Sequence, residues 1–93
     1  MKFIEAILKS IEVSCFFDSH YVIDRAIKEH SDEYIKFTST YADSNEPTLT
    51  AHQMIGHQIA KFEDVLVERQ KGQQSWSTNI HGNDSTCALW KRI

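Results

Sequence analysis

Between residues 48 and 61 the chain carries a series of polar side chains that could make specific hydrogen bonds. Gln53 could pair with the edge of an adenine, and His57 could donate to the acceptors of a guanine. Hydroxyl and ammonium groups close to them are of the kinds that contact phosphates. If the chain binds duplex DNA, we expect the interface to include Thr48, Thr50, His52, Gln53, His57, Lys61 and Lys71. The same residues would equally form the polar face of any amphipathic helix.

Other arrangements that carry chemistry are not indicated. His52 and His57 lie roughly 140° apart around a helix, so they do not share the narrow face from which two side chains could bind one metal ion. The chain has no GxSxG or HExxH pattern, and its 3 glycines cannot build a phosphate-binding loop. We therefore expect no enzyme activity, no cofactor and no metal site. Three further histidines have no cysteine or acid at metal-ligand spacing, namely His20, His30 and His81.

The charges divide unevenly along the chain. The formal net charge is −3, of which the first 46 residues contribute −4 and residues 47–93 contribute +1. Phosphate contacts need positive charge, so the second half is the better candidate for a nucleic-acid surface. A dimer could present two such small basic patches.

The length and composition fit one small domain. The 93 residues are 41% hydrophobic and contain no apolar stretch near the roughly 20 residues that a membrane span needs. Glu5 and Lys9 interrupt the apolar pattern of the N-terminus, which we interpret as a mature helix and not a secretory signal. Cys15 and Cys87 lie far apart without CxxC spacing, so we expect reduced thiols and a cytoplasmic protein.

Apolar residues at helical spacing predict the elements that precede the polar series. A first helix spans residues 2–13, and residues 15–17 form at most a stub of strand. Ser19 would cap a second helix over about residues 21–29. A bend near His30 and Ser31 would then begin a further short helix.

A third helix positions the polar series. The segment ADSNEPT predicts a loop, after which Thr50 would cap the helix. Its core face would comprise Ala51, Met54, Ile55, Ile59 and Phe62. Its outer face would comprise His52, Gln53, Gly56, His57 and Lys61.

The remaining residues predict a β-hairpin at the C-terminal end. Residues 63–71 fit either the end of the helix or the start of a strand, and residues 87–90 have strand character. Turn-forming residues place the loop within Gly72 to Asp84. We therefore predict an α+β, mostly helical domain over residues 1–93, with three or four helices followed by a C-terminal β-hairpin.

This order of elements resembles the winged helix-turn-helix superfamily, as does the pattern Met54-Ile55-Gly56 with Ile59 after Thr50. The resemblance implies a third helix that packs across the second and exposes one face, with the hairpin covering its far end. It further implies a transcriptional regulator or accessory factor that binds DNA as a dimer. The first helix often forms the dimer contact, for which Phe3 and Leu8 are candidates if they lie outside the stripe of Ile4, Ile7 and Ile11.

A second hypothesis is a non-catalytic interaction module or inhibitor that binds a nucleic-acid-handling protein through an acidic surface. The DNA hypothesis requires the basic residues of the second half of the chain to lie on the same side as the outer face of the third helix. These residues are Lys61, Arg69, Lys71, Lys91 and Arg92. The alternative predicts that the exposed face of the third helix is neutral or carries the acidic side chains of Glu63, Asp64 and Glu68.

Overall fold

The computed structural model describes residues 2–93 as four helices and three strands. Helix α1 spans Lys2–Ser10, strand β1 spans Phe16–Asp18, and helix α2 spans Ser19–Glu29. Helix α3 spans Ser31–Ser39, helix α4 Pro47–Ala60, strand β2 Val67–Thr78 and strand β3 Asp84–Arg92. The α+β class, the break at His30 and the strand stub are confirmed. Within this range no helix combines the length and the apolar character that a membrane crossing demands.

The three strands form one antiparallel sheet in the order β1-β3-β2. β2 and β3 are joined by a turn over residues 79–83, where the Asn79 side chain accepts hydrogen bonds from the backbone N–H groups of His81 and Asn83. Gly72 lies inside β2, in a bulge between Arg69 and Gln74, with a φ of +77° that favours glycine. The predicted hairpin is confirmed, but the loop is shorter than predicted because β2 resumes its pairing with β3 after the bulge.

The core lies between the helices and the sheet. Residues Ala51, Ile55 and Ile59, spaced one turn apart, bury the inner face of α4. Around them pack Ile4 and Ile7 of α1, with further buried side chains from α2 and the sheet, namely Val22, Ile23, Ala26, Phe17, Val67 and Trp90. Met54 and Phe62, predicted for the same face, are only half-buried.

Phe3 and Leu8 are not available for a dimer contact. They are 5% and 0% exposed, because α1 buries a wide apolar stripe against the other helices. Both residues are buried together with Ile4, Ile7 and Ile11, so the condition for their role in a dimer contact is not met.

Two predicted helix caps are also wrong. The Asp18 carboxylate caps α2 by accepting a hydrogen bond from the backbone N–H of Tyr21 at 2.8 Å. Ser19 is instead the first helical residue, and its hydroxyl accepts a hydrogen bond from the indole of Trp90. Helix α4 begins at Pro47, whose fixed φ suits a first turn, so Thr50 lies inside the helix.

Candidate functional site

Burial of one face of α4 leaves the opposite face open. Gln53 and His57 are exposed one turn apart, and Lys61 is exposed at the C-terminal cap. His52 and Gly56, predicted for the same outer face, are half-buried beside them. The outer face of α4 is therefore largely as predicted.

A groove runs between the outer face of α4 and the β2–β3 hairpin. Its volume is about 620 Å³. The hairpin turn supplies Asn79, Ile80 and His81, while Trp90 and Arg69 contribute from the strands. Helix α4 contributes Leu49, His52, Gln53, Gly56, His57 and Ala60.

The groove differs in charge from the rest of this acidic protein. Among its described lining residues none is aspartate or glutamate, whereas Arg69 and four of the 5 histidines line it. The Arg69 guanidinium lies 5.9 Å from the centre of the Trp90 ring, a cation–π distance. Because no carboxylate lines the described part of the groove, an anion bound there would meet no repulsion from a negative side chain of the lining. The histidines are His20, His52, His57 and His81.

His52 is held at the edge of the groove by neighbours on two elements. Its Nε2 is hydrogen-bonded to the hydroxyl of Tyr34 on α3 at 2.7 Å, and its ring stacks 6.5 Å from that of His81. Burial lowers the pKa of His52 below its ordinary value of 6.5, and the nearby His81 and His20 lower it further. At neutral pH His52 is therefore uncharged.

The pKa of His52 predicts a loss of stability in acid. The unfolded chain binds a proton at His52 at higher pH than the folded chain does, so stability falls as the pH drops through this window. We expect the free energy of unfolding to decrease between about pH 7.5 and about pH 5.5, and to decrease less in His52→Gln. Urea unfolding at a series of pH values measures this. His57→Gln, the same substitution at an exposed position of α4, is the matched control, and equal slopes in the wild type and His52→Gln would contradict the prediction.

The other residues predicted to contact DNA are dispersed around α4 and the hairpin. Thr48 and Thr50 are half-buried in the first turns of α4. Lys71 is exposed in the β2 bulge and lines a second depression with Glu63, outside the groove. Sequence reasoning thus located the helix face but not the groove that adjoins it.

Two of the five basic residues that the DNA hypothesis requires have structural roles elsewhere in the protein. Arg92 donates hydrogen bonds to the backbone carbonyls of Leu8 and Leu66, so it joins the end of α1 to the sheet. The Lys91 ammonium lies over the ring of Phe16, on the β1 side. Of the five, Arg69 alone lines the groove. The acidic residues that would favour the protein-interaction hypothesis are exposed, but they do not line the groove either. They are Glu63, Asp64 and Glu68.

A cluster that the sequence did not predict lies beside the groove. Asp18, His20 and Cys87 each place one potential metal-ligand atom within 4.8 Å of the others. Only Asp18 and His20 are close in sequence, and Cys87 reaches them through the pairing of β1 with β3. No local spacing pattern could have indicated this set.

Comparison with known proteins gives no relative from which function could be transferred. No family model, curated protein or solved structure matches this chain.

Proposed function

We propose that this chain is a small winged-helix DNA-binding protein, acting as a transcriptional regulator or accessory factor. The observation that carries the proposal is the exposed pair Gln53 and His57 beside a groove without carboxylates. The passage from α4 directly into a β-hairpin supports the winged-helix assignment, as does the packing of α4 on α2.

In the proposed complex α4 lies in the major groove, which is wide enough to admit a helix. Gln53 pairs with an adenine edge, and His57 donates to a guanine. Arg69 and Lys61 contact phosphates on either side, and the hairpin turn lies against the adjacent backbone. Because a single copy offers few cations, we propose a homodimer that doubles the contacts across two half-sites.

The test is a fluorescence-anisotropy titration of labelled duplex DNA at low and moderate salt. Two phosphate-contacting cations in each protomer, four in the dimer, predict a roughly 150-fold loss of affinity between about 50 and about 200 mM salt. Lys61→Gln removes one such cation from each protomer and should lower the salt slope by about 2, whereas Lys36→Gln on α3 should leave it unchanged. No salt-dependent binding at micromolar protein would reject the proposal.

Gly56 provides a test in which stability and binding change in opposite directions. No protein atom outside its own helix turn lies within 4 Å of the position that a Cβ would occupy, so glycine is not required by packing. Gly56→Ala should therefore stabilise the helix by about 0.5–1 kcal/mol. If a DNA backbone or base approaches α4 at Gly56, the same methyl group should weaken DNA binding. Thermal unfolding and anisotropy measure the two effects, and unchanged DNA affinity would place the contact elsewhere on the helix.

A protein-interaction module is the second candidate function, and exposed aromatic residues favour it. Trp76 on β2 is 68% exposed and Phe16 on β1 is 60% exposed, and aromatic residues are enriched in binding hot spots. β2 is an edge strand of the sheet and could pair with another chain. This candidate predicts no salt-dependent DNA binding in the titration above.

A further inference from the structure

Three side chains of different chemistry meet at the junction of β1, α2 and β3. Asp18 is the last residue of β1, His20 lies in the first turn of α2, and Cys87 lies in β3. One oxygen, one nitrogen and one sulfur atom lie within 4.8 Å of one another, and all three residues are half-buried. Tetrahedral zinc ligands are separated by roughly 3.3–3.8 Å, so a small contraction would bring the three atoms to bonding positions.

Two of the three side chains are already oriented by neighbours. Nδ1 of His20 is hydrogen-bonded to the Ser77 hydroxyl at 2.6 Å, while its Nε2 has only a long 3.4 Å contact to Ser85. The Ser75 hydroxyl donates to Asp18 Oδ2 at 2.6 Å, and each carboxylate oxygen can accept more than one interaction. Metal-binding histidines and carboxylates characteristically have such outer partners, which fix the ring and the carboxylate.

We propose that Asp18, His20 and Cys87 form a binding site for zinc or a similar thiophilic divalent transition metal. A thiolate with an imidazole favours such metals over Mg²⁺ and Ca²⁺, which prefer oxygen ligands. Three protein ligands leave a fourth position for water or an exogenous ligand. His20 and Cys87 also line the groove, so a metal ion held by them would lie at its wall.

A nucleophilic cysteine explains the cluster less well. Burial raises the pKa of the Cys87 thiol, and the negative charge of Asp18 raises it further. The thiol is therefore protonated near neutral pH, whereas a cysteine nucleophile requires the thiolate. A bound divalent cation would offset the repulsion between carboxylate and thiolate and deprotonate the thiol.

The chain offers matched controls for a test with Zn²⁺ and Co²⁺ on the reduced 93-residue protein. Titration calorimetry with Zn²⁺ should give one site per chain, and Cys87→Ser or His20→Gln should weaken binding by at least ~10–100-fold. Cys15→Ser and His30→Gln, which change the same residue types outside the cluster, should bind Zn²⁺ as the wild type does. The Co²⁺ complex of the wild type should show a thiolate-to-metal charge-transfer band that Cys87→Ser lacks.

A measurement on the unaltered protein covers the case in which a variant fails to fold. Zn²⁺ should protect Cys87, but not the exposed Cys15, from alkylation, as read by mass spectrometry of each cysteine peptide. Equal Zn²⁺ affinity in the wild type and a folded Cys87→Ser would overturn the proposal. So would a Co²⁺ complex without a thiolate band, or alkylation of Cys87 that Zn²⁺ does not slow. The proposed DNA binding depends on none of these results.

Discussion

Replacing Gln53 and His57 together with alanine should weaken binding to a preferred duplex site by about 2–6 kcal/mol, at least ~30-fold in Kd. The two side chains are exposed one turn apart and, within residues 2–93, form no side-chain hydrogen bond of their own. Their hydrogen-bonding groups are therefore free for base edges. Because neither is buried, the free energy of unfolding should change by no more than about 0.5 kcal/mol per substitution.

Anisotropy with the preferred site and a scrambled duplex measures this effect. The double variant should retain the weak, salt-dependent binding to the scrambled site, since its phosphate contacts are intact. Gln58→Ala removes a glutamine of α4 that does not line the groove, and it should bind as the wild type does. If the double variant discriminates between the two duplexes as well as the wild type, α4 does not read the bases.

Replacing Ile55 with alanine should lower the free energy of unfolding by about 2–5 kcal/mol. Ile55 is 0% exposed at the centre of the inner face of α4, where truncation removes buried apolar surface and leaves a cavity. Small domains are stable by only about 5–15 kcal/mol, so this loss is a large part of the total. Urea unfolding followed by circular dichroism measures it.

Ile35→Ala is the matched control for this substitution. Ile35 lies on α3 and is 62% exposed, so its truncation should cost no more than about 0.5 kcal/mol. Similar losses in both variants would show that α4 is not held on the core by its inner face. Packing of the inner face of α4 would then not explain why Gln53 and His57 are exposed on its outer face.

The sequence predicted the elements whose evidence is local. The four-residue spacing of Ala51, Ile55 and Ile59 is sufficient to define a helix and its buried face, and the structure confirms both. The predicted start of α4 was wrong because Thr50 and Pro47 are both residue types that begin helices. The helix begins at Pro47, since proline suits the first helical position. At α2 the carboxylate of Asp18 caps the helix in place of Ser19, one residue later in the chain.

The candidate site could be predicted only in part. The polar residues of α4 follow from helical periodicity, but the groove depends on where the hairpin lies relative to α4. The cluster of Asp18, His20 and Cys87 depends on the pairing of β1 with β3, in which Asp18 stands opposite Leu89, two residues after Cys87. Local sequence signals do not fix a pairing between strands that lie so far apart in the chain.

The most direct test of the central claim is the location of DNA contacts by amide chemical-shift mapping on labelled protein. We expect the largest changes on addition of duplex DNA at Gln53, Gly56 and His57, with further changes in the hairpin turn at His81. The surface of α3 that carries Asp32 and Glu33 should change little. Changes confined to that surface, or none at any DNA concentration, would contradict the account.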